Sequence, residues 1–397
     1  MVENRVLCGL VCLYQATFRM THDFSGLRIV HIAETVRGGI ATYFNELHSL
    51  QCQTFGQENV HYLVPSDHRD DLIGISDANI VPFDRSGRNL ASLLRLALET
   101  MQQVRATRPD IVHVHSTLAG IIVRIMLMLV RNRPAVVYCS HGWAFSRDTS
   151  RLSNYVAKLA EWLLAKVTDR IICISRNEYS AARDAGIPEE KLNLVLSGMR
   201  NERLSADPTT PSWNTPKLKV LFIGRLDRQK GYDFLIEAAQ ELDSTIDVRM
   251  IGSAVVNEAG DHTLPPNVTL LGWLARTSIE AQLNLADIVV IPSRWEAFGF
   301  VALEAMRAHK PILAFRAGAL PEIVDNGTTG LICDPVGPQA LVTGLKEAAR
   351  IDLPALGEAG YERFVSMFSV SRTHEQLLKV YANILRLTSK RLTKLAL

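Results

Sequence analysis

Ser293-Arg294-Trp295-Glu296-Ala297-Phe298-Gly299-Phe300-Val301-Ala302-Leu303-Glu304 decides how this chain is read. The apolar run Ile288-Val289-Val290-Ile291 precedes it and stops at Pro292. That pattern predicts a buried strand, then a loop, then a helix. Glu296 and Glu304 are separated by seven residues. On one continuous helix they would lie about 12 Å apart, at 1.5 Å per residue. An acid and base pair flanking one bond needs roughly 5–9.5 Å. The spacing therefore suits an extended ligand with one carboxylate near each end. Gly299 sits where the helix should start, so backbone N–H groups can approach an anion closely. Two solvated glutamates on an ordinary strand-loop-helix turn are the plainer explanation of the same letters.

Working outward, apolar strands and amphipathic helices alternate on both sides of this stretch. Leu27–Ala33 is predicted as a first buried strand, and it runs into Gly38-Gly39 and a helix to about Leu50. A strand, a glycine turn and a helix can cradle a phosphate, because the turn's N–H groups and the helix dipole face the anion. Two glycines are equally well explained by a tight turn. Further strands are expected at Val60–Val64, Asp110–Ser116, Pro134–Ser140, Arg170–Ser175 and Leu192–Leu196. His113 and His115 share one face of their strand by period-two alternation. They would offer two metal ligands, but no third is evident, and no metal is expected. His141-Gly142 closes a strand at its carboxyl end, where ligands meet parallel sheets. Gly120–Val130 is apolar, carries Arg124 and is followed by Arg131 and Arg133. It reads either as a packed helix or as a basic, apolar helix resting on a membrane surface.

Ser205–Pro216 holds three prolines among small polar residues and predicts a linker. Beyond it the alternation restarts at Leu218–Ile223, which runs into Gly224-Arg225-Leu226-Asp227-Arg228-Gln229-Lys230-Gly231. Arg225 can grip a diphosphate bidentately and Lys230 as a point charge. A solvated basic loop would look the same. Strands at Asp247–Ile251, Val268–Trp273 and Lys310–Phe315 follow, with Gly272-Trp273 as a candidate wall of a base pocket. The expected division is an extension at 1–26, a first domain at 27–204, a linker at 205–217, a second domain at 218–369, and a terminal helix and tail at 370–397. The extension is apolar from Val6 to Tyr14 without a convincing cleavage site, so Met20 is the expected natural start.

The 397 residues have room for two or three domains, and 47% apolar with 21% charged composition is ordinary for a globular chain. A net charge of +2 argues against nucleic acid as a partner. The six cysteines form no C-x-x-C pair and sit in apolar runs, which predicts reduced thiols and a cytoplasmic setting. No P-loop, G-x-S-x-G elbow, H-E-x-x-H or D-x-D pair is present. A bound diphosphate would then be neutralised by Arg225, Lys230 and helix N-termini, without a held metal or other cofactor.

Taken together, these motifs resemble the GT-B-fold retaining glycosyltransferases of family four, across residues 27 to about 385. The resemblance rests on Pro-Ser-x-x-Glu-x-Phe-Gly-Phe-x-x-Leu-Glu, Gly-Arg-Leu-x-x-x-Lys-Gly, the early Gly-Gly turn, Leu-Pro-Glu-Ile-Val and Asn-Gly-x-Thr-Gly. It implies an α/β protein of two Rossmann-like, doubly wound domains facing a central cleft. It implies a nucleotide-sugar donor and a glycan or lipid-linked acceptor, with peripheral contact at the inner face of the cytoplasmic membrane. Glu304 would hold the ribose hydroxyls and Glu296 the transferred sugar. Phe298, Gly299 and Phe300 would offer backbone groups to sugar and phosphate. Gly38 and Gly39 would meet the phosphate from the other domain, and His141 would face the sugar. Arg225 and Lys230 would stabilise the departing diphosphate. Two departures stand out: Ala297 replaces the family's frequent glycine, and Ser197-Gly198-Met199-Arg200 replaces its frequent Asn-Gly-Val-Asp. An epimerase, a phosphorylase and a non-catalytic sugar-nucleotide-binding subunit are the rival readings. No lysine context for a pyridoxal cofactor is seen, which lowers the phosphorylase.

Overall fold

A computed structural model describes residues 23–147, 149–253 and 264–395, with side chains described to residue 386. Most of the N-terminal extension, Cys8, Cys12, the Met20 start and the basic tail side chains (Lys390, Arg391, Lys394) lie outside that description. The first half alternates strands and helices, except that β2 runs to β3 without an α-helix. Strand β1 (Ile29–Ala33) leads to helix α1 (Gly39–Phe55), then β2 (Val60–Pro65) and β3 (Ile80–Phe83). Helix α2 (Leu90–Thr107), β4 (Ile111–His115), α3 (Thr117–Met128) and β5 (Ala135–Cys139) follow. Helix α4 (Arg151–Ala165), β6 (Arg170–Cys173), α5 (Arg176–Asp184) and β7 (Leu192–Leu194) complete it. The strands form one seven-stranded sheet in the order β3-β2-β1-β4-β5-β6-β7, with parallel pairing.

The second half repeats the scheme. It runs through β8 (Leu218–Ile223), α6 (Tyr232–Glu241), β9 (Ile246–Ile251), β10 (Val268–Gly272), α7 (Arg276–Leu285) and β11 (Ile288–Ile291). Then come α8 (Phe300–Arg307), β12 (Ile312–Phe315), α9 (Leu320–Ile323), β13 (Gly330–Cys333), α10 (Pro338–Ala348), α11 (Leu353–Met367) and α12 (Val370–Leu395). Its parallel sheet has the order β10-β9-β8-β11-β12-β13. Buried strands such as Ile-Val-Val-Ile are apolar on both faces because helices cover both sides.

Each strand order reverses at one place, between β1 and β4 and between β8 and β11. Ligands in open parallel sheets bind at such switch points, beyond the carboxyl ends of the strands. Gly38-Gly39 follow β1, Arg225 and Lys230 follow β8, and Glu296 follows β11. The fold therefore puts the main motifs at the switch points of both sheets.

Two strands escaped the sequence reading. Ile80–Phe83 contains Pro82 and follows an Asp-rich loop, but as the edge strand β3 it needs no donor there. Gly330–Cys333 was absorbed into the Asn326–Gly330 turn, yet it pairs with β12 as β13. The described cysteines are free thiols: Cys139, Cys173 and Cys333 are buried, and Cys52 is partly so.

The chain crosses between the halves twice, and the crossings touch. Met199 forms a parallel bridge with Ser369, with Met199 N–H donating to Phe368 O and Val370 N–H to Met199 O. A Cβ on Gly198 would lie 2.5 Å from Ser369 O, so this glycine, which the family pattern shares, keeps the crossings tight. After the second crossing α12 packs on the first domain. Tyr381 OH lies 2.8 Å from His113 Nδ1, and His374 Nε2 lies 2.9 Å from Thr54 Oγ1. The linker is not loose either: Trp213 is buried under the Arg249 guanidinium, 4.4 Å from its ring centroid.

Arg124 on α3 is fully buried, 2.8 Å from Glu161 on α4 and stacked on Tyr138. The packed reading of the Gly120–Val130 segment therefore holds for this arginine. Removing one partner of a buried ion pair leaves an uncompensated charge. Glu161→Ala is expected to lower stability by about 3–5 kcal/mol, measured by urea denaturation; a loss near zero would contradict the burial argument.

Candidate functional site

Gly38 caps α1 at φ 76°, and a Cβ on Gly39 would stand 3.5 Å from the Phe300 ring. Gly299 caps α8 at φ 102°. Neither helix has a side-chain cap or an acidic residue in its first turn. Two helix N-termini from different domains thus approach one another with their N–H groups unneutralised, an arrangement that attracts an anion.

Lys230 reaches the same loop cluster. Its Nζ lies 2.5 Å from Glu296 Oε2, and both side chains are largely buried. Ser293 Oγ also donates to Glu296 Oε2, at 3.4 Å. Two glycines make this packing possible. A Cβ on Gly231 would strike Pro292 O at 1.9 Å, and one on Gly318 would strike Glu296 O at 1.7 Å. Arg225 stands beside Lys230 but is turned to its own loop, donating to Gln229 Oε1 at 2.8 Å and pairing with Asp227 at 3.0 Å. Arg294 is not part of the charge presented to a ligand. It forks onto Asp233 at 2.6 and 2.7 Å and stacks on Phe234, fastening the loop after β11 to α6.

His141 follows β5 with φ 51°, and Gly142 follows at φ 114°. A Cβ on Gly142 would meet Ala297 Cβ at 3.1 Å. The histidine loop of one domain therefore faces the glutamate loop of the other, and the Ala297 methyl fills space that a glycine would leave open. Burial pushes His141 down to about 3, so the ring is neutral.

Glu304 stands apart from this group. It lies on α8 about 6 Å along the axis from Phe300, at 1.5 Å per residue. It borders a separate cavity of about 530 Å³ lined by Thr42, Glu46, Arg276, Glu280 and Arg307 among others. Burial pushes its carboxyl up to about 7, Arg307 and Arg276 pull it down, and Glu280 and Glu46 add to the rise. Trp273 is 66% exposed and lines neither this cavity nor the one between Arg176 and Phe368.

Sequence reasoning missed two carboxylates. Glu322, in Leu-Pro-Glu-Ile-Val, accepts from the N–H groups of Arg176 and Asn177 at 2.7 and 2.6 Å. It caps α5 across the domain boundary, a role that its motif position could have suggested but not its partner. Glu178 is buried, accepts from Ile174 N–H and Ser140 Oγ, and is pushed up to about 7 by burial.

The sequence matches the profile of glycosyl transferases group 1 over residues 206–361 and of glycosyltransferase family 4 over residues 37–203. The chain belongs to this family: it is a glycosyltransferase of GT-B architecture, of the group that draws on nucleotide-sugar donors. A 41.2 kDa protein of the cps region of Klebsiella pneumoniae is 33% identical over 77% of this chain and 86% of its own. An Escherichia coli UDP-Gal:alpha-D-GlcNAc-diphosphoundecaprenol alpha-1,3-galactosyltransferase is 26% identical over 68% of this chain and 73% of its own. The Anabaena protein HepE, solved with UDP-glucose, superposes with a TM-score of 0.72 at 18% identity, covering 90% of this chain and all (100%) of its own.

A carboxyl held above its unfolded value stabilises the fold while protonated. For Glu304 that contribution is complete below its usual 4.5 and is lost as pH climbs through about 7. Glu304→Gln stays neutral. Relative to the native chain it should gain about 1–3 kcal/mol of stability between roughly pH 4 and pH 9, read by denaturant titration at each pH. A difference that does not change with pH would contradict this.

Proposed function

We propose that the chain is a retaining, metal-independent hexosyltransferase. It moves a hexose or related sugar from a UDP- or GDP-sugar to a growing, lipid-linked glycan at the inner face of the membrane, in surface polysaccharide assembly. The observation that carries this reading is the Lys230–Glu296 contact beside two facing helix N-termini. The Escherichia coli relative is named for a UDP-sugar and a diphosphoundecaprenol acceptor, and the Klebsiella relative for a cps region. Both support the donor and the setting.

In this reading the donor's diphosphate lies between the α1 and α8 N-termini. Lys230 exchanges Glu296 for a phosphate oxygen, and Arg225 turns from Asp227 and Gln229 to join it. Their charge matters most as the glycosidic bond breaks and the diphosphate gains negative charge, so they bind the transition state better than the ground state. Glu296, released from Lys230, holds sugar hydroxyls. Backbone groups of Phe298, Gly299 and Phe300 line the sugar and phosphate, and Gly38 and Gly39 close over it. Glu304 holds the ribose hydroxyls. The acceptor oxygen attacks from the face the diphosphate leaves, which keeps the anomeric configuration. The rival reading is an epimerase, which would change the sugar nucleotide without any acceptor.

The acceptor side suggests where a membrane would lie. Helix α4 turns Leu152, Tyr155, Val156, Leu159, Trp162 and Leu163 to solvent, Leu152 at 73% and Tyr155 at 64%. Exposed Arg147, Arg151, Lys158 and Lys166 surround them, and the helix's one carboxylate, Glu161, is buried. An apolar stripe fringed by cations fits an anionic lipid surface. No helix among the described residues is long and apolar enough to cross a membrane. Arg124 and Arg133 pair with Glu161 and Asp169, so in this reading α4 carries the basic-apolar face, with exposed Ile125, Met128, Leu129 and Arg131 at the end of α3 as a second candidate.

Lys230→Ala is expected to cut turnover by about a hundredfold or more, while Glu304→Ala weakens donor binding with less effect on turnover. Nucleotide release from a panel of donors, with a lipid-linked acceptor fraction and a chelator present, checks both. Unchanged kinetics, or activity that only added metal restores, would end the charge argument; an epimerised donor without acceptor would favour the rival. Lys158→Glu with Lys166→Glu should weaken binding to anionic vesicles by about tenfold or more, read by co-sedimentation. Absence of vesicle binding by the unaltered protein would end the membrane reading.

A further inference from the structure

Behind His141 lies a row of buried rings that the preceding reading leaves without a role. Period-two alternation puts His31 of β1 and His113 and His115 of β4 on one face of the first sheet, under α1. His141 Nε2 is 2.8 Å from His115 Nδ1. His115 Nε2 is 3.0 Å from His31 Nδ1, and His31 Nε2 is 2.9 Å from Gln51 Oε1. Gln51, His31 and His115 are buried to within 1% of complete. Burial pushes His31 down to about 3 and His115 well below its usual value, so each ring is neutral.

A neutral imidazole has one N–H and one lone pair, and a hydrogen bond needs one of each. The first contact therefore fixes the rest. Gln51 Oε1 can only accept, so His31 Nε2 carries the proton and His31 Nδ1 is a lone pair. That lone pair requires N–H at His115 Nε2, which leaves His115 Nδ1 as an acceptor. His141 must then carry its proton on Nε2. Its Nδ1 is left as a lone pair with no protein partner among the described residues.

We propose that Gln51, His31 and His115 are positioning residues that lock His141 in the Nε2–H tautomer. The inference rests on the reading that His141 faces the donor sugar. His141 then meets that sugar as a hydrogen-bond acceptor, neither a donor nor a cation. The site selects donors that present a free hydroxyl to this nitrogen, and it discriminates against the corresponding deoxy sugars, which leave that lone pair without its partner. Each bond in the row satisfies two buried polar groups, whereas Gln51 Nε2 and His113 Nε2 have no protein partner among the described residues.

Long-range nitrogen–proton correlation spectra of the full chain labelled with ¹⁵N-histidine test this, with His141→Ala assigning the signals. The expected result is a protonated Nε2 and a lone pair on Nδ1 of His141 at neutral pH. Gln51→Leu should give a mixture of tautomers and cut kcat by about 3- to 10-fold, one neutral hydrogen bond's worth, with little change in donor KM. A proton on His141 Nδ1 in the native chain, which a reversed Gln51 amide would produce, overturns the proposal. So does an unchanged tautomer in a folded Gln51→Leu. His31, His113 and His115 also lie close enough to hold a metal ion, so one equivalent of zinc in the purified chain would overturn it as well. If Gln51→Leu does not fold, the native spectrum decides alone. A fully active His141→Ala beside the expected spectrum would remove the sugar contact and leave the tautomer row standing.

Discussion

Lys230 and Glu296 meet at 2.5 Å where two parallel strands, β8 and β11, end side by side. Nothing in either loop would place them there without the neighbouring glycines, because Gly231 and Gly318 let peptide groups pack where any Cβ would collide. The pair holds the charge of the donor loop in place before a ligand arrives. In the proposed reading, a lysine already stripped of most of its water and oriented by a carboxylate has little reorganisation left when a phosphate takes the carboxylate's place. The rest of the site is arranged around that point: Gly39 against Phe300 on one side, Gly142 against Ala297 on the other.

The two halves are joined by more than the cleft. Glu322 caps α5 across the boundary, and Arg200 donates to Glu46 on α1 through both its N–H and its Nε. These are polar contacts with exposed edges, of the kind that exchange with water at modest cost. One buried apolar cluster also runs through both halves, by way of Phe298, Phe368, Leu377 and Tyr381, so the seam is polar only in part.

Much of the architecture could be read from residues alone. Runs such as Leu-Lys-Val-Leu-Phe-Ile followed by Gly-Arg announce a parallel strand and its ligand-side loop, because periodicity and glycine placement are local properties. The edge strand Ile80–Phe83 was hidden because its proline argues against a strand that, at the edge, can accept one. Pairings across long separations were not legible. His31 meets His115 across 84 positions and His113 meets Tyr381 across 268, and no local pattern encodes either partner. Helix α4 carried a different ambiguity. Its amphipathic period was visible, but the pattern does not say which side faces the sheet, and here much of the apolar side faces out.

Helix α12 has one more consequence. Its Leu377, Tyr381 and Ile384 are buried, and it lies on the first domain although the chain makes it last. During synthesis the first half leaves the ribosome with part of its sheet face bare, and it stays so while nearly two hundred further residues are translated. A chain that stalls before this helix has a nearly complete second domain but an unfinished partner, with apolar surface open to chaperones and proteases. The sheet face of the first domain is thus covered only when a helix from beyond the second domain has docked on it.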